Sequence, residues 1–159
     1  MRFFHPQYGC CAKLPVDRRY EAGGVAFHSQ ASSLAIPPSN GHHLTLEDIE
    51  LNLVRGTDIH SAPTKIVALE NTLSGMIFPQ DEIVRISDKM RAEGVIMHCD
   101  GARMWEVLAK TGMDLEEACR PFDTVSLCMS KGLGAPIGSS VFLLPSSARS
   151  LICLMSTGY

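Results

Sequence analysis

The chain has 159 residues, is 45% hydrophobic and 19% charged, and carries a net charge of −3. A chain of that size and apolar content can bury the core of one domain and is not intrinsically disordered. Its near balance of charge argues against a broad nucleic-acid-binding face, and no apolar run approaches the ~20 residues that span a bilayer. Residues 1–11, MRFFHPQYGCC, contain no apolar h-region, so no signal peptide is expected.

Six cysteines stand at 10, 11, 99, 119, 128 and 153. None forms a C-x-x-C pair, so neither a zinc nor a redox motif is expected, and no metal site is assigned. Cys99 and Cys128 sit in apolar runs, where a thiol acts as a small buried hydrophobe. Reduced thiols are the expectation, and with them a cytoplasmic location.

In chain order, residues 1–20 show no period, and Cys10-Cys11 reads as part of an unordered terminus. Tyr20-Glu-Ala-Gly-Gly24 reads as a turn, and Pro37-Pro-Ser-Asn-Gly41 as a loop. Thr45-Leu-Glu-Asp48 is a capping box with Asp for the usual Glu. It opens a short helix whose apolar positions are Leu46, Ile49, Leu53 and Val54. Thr64 to Leu69 is a buried strand. Gln80 to Glu93 is a helix with Ile83, Val84, Ile86 and Met90 on its apolar face. Val95 to Cys99 is a strand, Arg103 to Thr111 a helix, Leu115 to Cys119 a helical turn and Asp123 to Met129 a strand. The glycine-rich turn Lys131-Gly-Leu-Gly-Ala-Pro-Ile-Gly138 leads to a last strand, Ser140 to Leu144.

Apolar strands that alternate with helices predict an α/β fold, a mainly parallel sheet with helices on both faces. Ligands bind such sheets outside the carboxyl ends of the strands. Three polar clusters follow strands directly: Glu70-Asn71-Thr72, Asp100-Gly-Ala-Arg103 and Ser130-Lys131. All three should share one edge.

Lys131 reads either as a surface lysine at a turn or as a pocket lysine that can form a Schiff base with a carbonyl. Asp100, just after an apolar strand, needs a partner. Arg103 could supply it. Alternatively, Asp100 could face a pyridinium nitrogen, as in sites that use pyridoxal phosphate, which would leave Arg103 to clamp a carboxylate. The spacing in Gly132-x-Gly134-x-x-x-Gly138 is not that of a dinucleotide-binding turn, and no acidic ribose partner is evident.

His98-Cys-Asp-Gly-Ala-Arg103 and Ser126-Leu-Cys-Met-Ser-Lys-Gly-Leu-Gly-Ala-Pro-Ile-Gly-Ser139, taken together, closely resemble the low-specificity L-threonine aldolases. These are pyridoxal phosphate enzymes of fold type I that cleave L-threonine or L-allo-threonine to glycine and acetaldehyde. The 31-residue spacing from Asp100 to Lys131 also fits, as do Tyr20-Glu-Ala-Gly-Gly24, Leu44-Thr-Leu-Glu-Asp48 and Leu69-Glu-Asn-Thr72.

The resemblance implies that Lys131 is the Schiff-base lysine. It implies that Asp100 partners the pyridine nitrogen and that Arg103 binds the substrate carboxylate. His98, Glu21 and Asn71 match family positions around the pocket, and His98 also reads as a satisfied histidine at a strand end. The implied substrate is a β-hydroxy amino acid, and the implied assembly is a homo-oligomer.

Some family features have no counterpart here. Many members carry a histidine after Glu-Asn-Thr, where this chain has Leu73, so no base is assigned. The ring-stacking histidine of the family aligns with Val16. No phosphate-holding turn precedes Tyr20, and the family's second carboxylate-binding arginine lies beyond residue 149. The expectation is a divergent segment at 1–16, a partial large domain at 17–149 and a divergent tail at 150–159. That is a chain shortened at both ends and weak or inactive as it stands. Two alternatives remain: a non-catalytic remnant that keeps the core sheet, or another fold-type-I lyase such as a β-eliminating one.

Overall fold

A computed structural model describes residues 9–12, 31–56, 58–143 and 152–156. The turn at Tyr20–Gly24, with Glu21, lies outside the described residues, as does Val16.

The strands among the described residues are β1 (Gly9–Ala12), β2 (Ser32–Ala35), β3 (Thr64–Glu70), β4 (Ile96–Gly101), β5 (Thr124–Cys128), β6 (Ser139–Leu143) and β7 (Ile152–Ser156). The helices are α1 (Leu46–Asn52), α2 (Gln80–Ala92), α3 (Met104–Thr111) and α4 (Leu115–Cys119). The strands form one seven-stranded sheet in the order β2-β1-β3-β4-β5-β6-β7. Pairing is parallel from β2 through β5 and antiparallel for β5–β6 and β6–β7. The mainly parallel α/β architecture is therefore as expected.

β1 corrects the reading of the N-terminal region. Gly9–Ala12, including Cys10-Cys11, is a strand paired on both sides, with β2 and β3. The sign of β6 is set by its connection. Residues 129–138 are too few for a parallel crossover, which needs about a dozen or more, so the chain turns back antiparallel. The Asn71 N–H donates to the carbonyl of Asp100 at 2.9 Å, so the β3–β4 pairing runs on past the end of β3.

Ile49, Val67, Ile86, Cys99, Val125 and Leu127 are wholly buried. Each aliphatic side chain so buried contributes roughly 1.5–3 kcal/mol relative to exposure. On α2, Ile83, Ile86, Ser87 and Met90 face this core, whereas Val84 is 41% exposed. Ser87, not the expected Val84, completes the inner stripe, and its hydroxyl is satisfied by donating to the carbonyl of Pro121. α1 is shorter than its apolar pattern suggested. Leu53 is its C-cap, and Val54 lies beyond the helix and is exposed.

The capping box at α1 is complete. Asp48 N–H donates to Thr45 Oγ1 at 3.2 Å, and Thr45 N–H donates to Asp48 Oδ2 at 3.0 Å. Ser39 N–H adds a contact to the same carboxylate at 3.3 Å. Burial alone would raise the Asp48 carboxyl, but hydrogen bonds from Thr45 and Ser39 outweigh it and hold the group below its ordinary value of 3.8. The stabilisation from this shift is present above that value and is lost as the pH falls through the lowered folded value. Asp48→Ala should cost about 1–2 kcal/mol, read as a shift in the urea midpoint at neutral pH, and the deficit should shrink in acid.

Candidate active site

Parallel strands in register bring the polar clusters together. Glu70 on β3 is paired with Asp100 on β4, and Asp100 with Ser126 on β5. The turn bearing Lys131 begins where β5 ends. Asn71, Asp100 and the Lys131 turn thus lie at the carboxyl ends of three adjacent strands, Asp100 as the last residue but one of β4. Arg103 follows Asp100 as the N-cap residue of α3.

Asp100 is half-buried, and its Oδ1 accepts the N–H of Ala102 at 3.0 Å. That bond closes the tight turn from β4 into α3. Among the described residues, Oδ2 accepts no hydrogen bond and Asp100 forms no ion pair. Arg103 does not neutralise it. The Arg103 guanidinium instead donates from Nη1 to Glu106 Oε1 at 3.3 Å, and its side chain is 57% exposed.

Gly101 explains why the strand can end so close to its neighbour. A Cβ there would lie 2.8 Å from Leu127 Cδ2 and 2.9 Å from the Ser126 carbonyl oxygen. The backbone oxygen cannot swing away as a flexible side chain could. Gly101→Ala should therefore lower stability by about 1–3 kcal/mol by overpacking, measured by thermal melting, and should also displace Asp100.

Asn71 is buried. Its Oδ1 accepts the N–H of Phe78 at 3.2 Å, which fastens the loop between β3 and α2. His98 is half-buried on β4 opposite Thr124, with Nδ1 at 2.7 Å from Thr124 Oγ1. It lies two residues before Asp100 on the same face of the strand, within the sheet and not at its edge.

Lys131 is exposed. Its carbonyl accepts from Gly134 N–H at 2.8 Å, and Ala135 N–H donates to the Met129 carbonyl at 3.0 Å, so the backbone of the turn is well tied. Among the described residues its ammonium forms neither a hydrogen bond nor an ion pair. Trp105 secures this end of β5 to α3, donating from its indole nitrogen to the Cys128 carbonyl at 2.9 Å.

A family model described as "Beta-eliminating lyase" matches residues 17–151. The chain belongs to the beta-eliminating lyase family. The low-specificity L-threonine aldolase of Candida albicans is 51% identical over 122 residues, which cover 76% of this chain and 33% of that protein. The low specificity L-threonine aldolase of Saccharomyces cerevisiae is 48% identical over 121 residues, 76% of this chain and 31% of that protein. The chain thus spans about a third of the length of these curated relatives. The solved threonine aldolase of Leishmania major shares the fold, with a TM-score of 0.77 at 24% identity, covering 89% of this chain and 42% of that one.

Pyridoxal phosphate, the cofactor expected of this beta-eliminating lyase chain, can be tested against the residues present. A covalent link needs a lysine amine not engaged elsewhere, and Lys131 has one with no partner among the described residues. A ring nitrogen needs a carboxylate oxygen with a vacant lone pair, and Asp100 Oδ2 provides that. Arg103 keeps guanidinium N–H groups beyond the single one given to Glu106. These residues fit the group. Sequence reasoning passed over Trp105 and Glu106. The available signal was the chain's single tryptophan lying two residues after Arg103.

Proposed function

We propose that this chain carries the lysine-bearing part of a pyridoxal phosphate-dependent aldehyde-lyase that cleaves L-threonine or L-allo-threonine to glycine and acetaldehyde. The observation that carries this reading is the placement of Asp100 and the Lys131 turn at the carboxyl ends of adjacent parallel strands, each with a polar atom that has no partner among the described residues. The roughly 50% identity to low-specificity L-threonine aldolases supports the substrate class.

Lys131 would hold the cofactor through its amine, and Asp100 would accept the ring N–H. When bound, the cofactor supplies an electron sink for the bonding pair released on Cα–Cβ cleavage. Arg103 would orient the substrate by its carboxylate, using the planar fork that suits bidentate pairing. Asn71 would keep the β3 edge of the pocket in place through its bonds to Asp100 and Phe78. His98, bonded to Thr124, is given a supporting role and is not assigned as base. Glu21 is kept as a neighbour of the pocket on resemblance alone.

The reading includes a catalytic large domain at 17–149, flanks at 1–16 and 150–159 that diverge from the family in sequence although β1 and β7 pair into the same sheet, and assembly as a homo-oligomer. It also includes a cytoplasmic setting in threonine catabolism and glycine formation. Among the described residues Cys99, Cys119 and Cys128 are unpaired thiols, which suits a reducing compartment. Burial pushes Cys99 well above the usual thiol value and Cys119 up to about 11, so both are poor nucleophiles. No helix among the described residues is long and apolar enough to cross a membrane.

The family match to beta-eliminating lyases favours a second reading, β-elimination at the same lysine. One assay separates the two. Whatever turnover the purified chain shows with pyridoxal phosphate and L-allo-threonine should yield acetaldehyde and glycine in equal amounts. A 2-oxo acid with ammonia would point to elimination, and no product of either kind would leave a non-catalytic remnant.

A further inference from the structure

Glu106 has no part in the chemistry proposed above, yet its carboxylate touches both halves of that site. Oε1 accepts from Arg103 Nη1 at 3.3 Å. Oε2 is itself buried, on a side chain that is 37% exposed, and among the described residues it has no hydrogen-bond partner. On the far side lies Gly132, the residue after Lys131. A Cβ at Gly132 would stand 2.7 Å from Glu106 Oε2 and 2.8 Å from its Cδ.

A glutamate in the first turn of a helix is ordinarily explained by the helix dipole. That account needs neither the arginine pair nor the contact with the turn. It also leaves unexplained why a carboxylate oxygen is buried without a donor, a costly arrangement unless the group is held there. Gly132 does not occupy the left-handed region that Gly134 and Gly138 do. A side chain there would have to push the flexible end of Glu106 aside.

We propose that Glu106 is a positioning residue. It aims the Arg103 guanidinium and seats the turn that starts at Lys131, coupling the carboxylate clamp to the cofactor lysine. The proposal rests on the roles given above to Lys131 and Arg103. An exposed i,i+3 ion pair contributes little to stability, so the effect belongs in ligand geometry and not in the melting temperature. Glu106 fixes one guanidinium N–H and leaves the others to meet a substrate carboxylate.

The test uses the purified chain with pyridoxal phosphate. Glycine is titrated in and followed by cofactor absorbance, and cofactor affinity is followed by Trp105 fluorescence. Glu106→Gln should weaken glycine binding about tenfold, the scale of one well-placed hydrogen bond, with the melting temperature unchanged. Gly132→Ala should weaken cofactor binding by a similar factor. The double variant Gly132→Ala, Glu106→Ala should bind cofactor better than Gly132→Ala, because the added methyl enters the space the carboxylate vacates, but short of the parent and with glycine binding still weakened, because the positioning carboxylate is gone. Glycine affinity within twofold of the parent in Glu106→Gln, or a double variant no better than Gly132→Ala, overturns the proposal. If the parent chain takes up no cofactor, the reading of Lys131 fails instead. Thermal melting then still tests the contact: the double variant must melt above Gly132→Ala, and equal melting temperatures overturn the contact on which the positioning role stands.

Discussion

Lys131→Ala is expected to abolish the absorbance band of lysine-bound pyridoxal phosphate and to lower aldol cleavage by at least about a thousandfold, the scale seen when a covalent catalytic group is removed. Its side chain is exposed and unpaired among the described residues, so the substitution takes nothing from the core. Stability should stay within about 0.5 kcal/mol of the parent, as for surface changes in general. This separation makes the result decisive. A variant that melts with the parent yet shows no band has lost an amine and not a fold. Lys131→Arg should fail equally, because a guanidinium remains protonated and cannot attack a carbonyl. A band that survives in Lys131→Ala would assign the cofactor to another lysine and dissolve the site described here.

The central sheet was legible because its strands are long and apolar. β3, β4 and β5 run through buried residues such as Val67, Cys99 and Val125, and turn signals bound them. Their order and common direction then placed Asp100 and Lys131 at one edge without any coordinate. β1 was not legible. It has four residues beginning at Gly9, with no alternation to mark it, and it is a strand because β2 and β3 flank it. Pairing of that kind is a tertiary effect that local propensity does not carry. β7, Ile152–Ser156, stood out only as an apolar run, and its place beside β6 is again a matter of partners.

At the site, spacing identified the charged residues but not their pairing. Asp100 and Arg103 are three apart and looked like an ion pair. Arg103 caps α3, however, and its partner is Glu106, three residues further on and on the helix itself. The turn closed by Asp100 Oδ1 and Ala102 N–H holds Asp100 at the strand end and leaves Arg103 to the helix. Helix geometry favours the second i,i+3 pair over one that crosses a turn.

Asp100→Asn is expected to leave the fold intact while lowering the turnover number about a hundredfold or more. The amide has the size of the carboxylate, and its oxygen can still accept the Ala102 N–H that now goes to Oδ1. With that oxygen so engaged, the other terminal atom becomes an NH₂ group, a donor where the ring nitrogen needs an acceptor. The loss of one charge-assisted hydrogen bond is worth ~1.5–3 kcal/mol, or about ten- to a hundredfold. Charge that develops during cleavage also loses the fixed carboxylate that favours a protonated ring, an electrostatic contribution that typically adds 10²–10³ in rate. The fall should therefore appear in kcat more than in KM, because Arg103 and its hold on the substrate carboxylate are untouched. Lys131 should still bind the cofactor, so the absorbance band should persist, in contrast to Lys131→Ala. Asp100→Ala should be worse on both counts, since it also removes the acceptor that closes the turn into α3. Cleavage by Asp100→Asn at the parent rate, with the band present, would show that the ring nitrogen takes its proton from elsewhere, and Asp100 would then be only the residue that closes the turn.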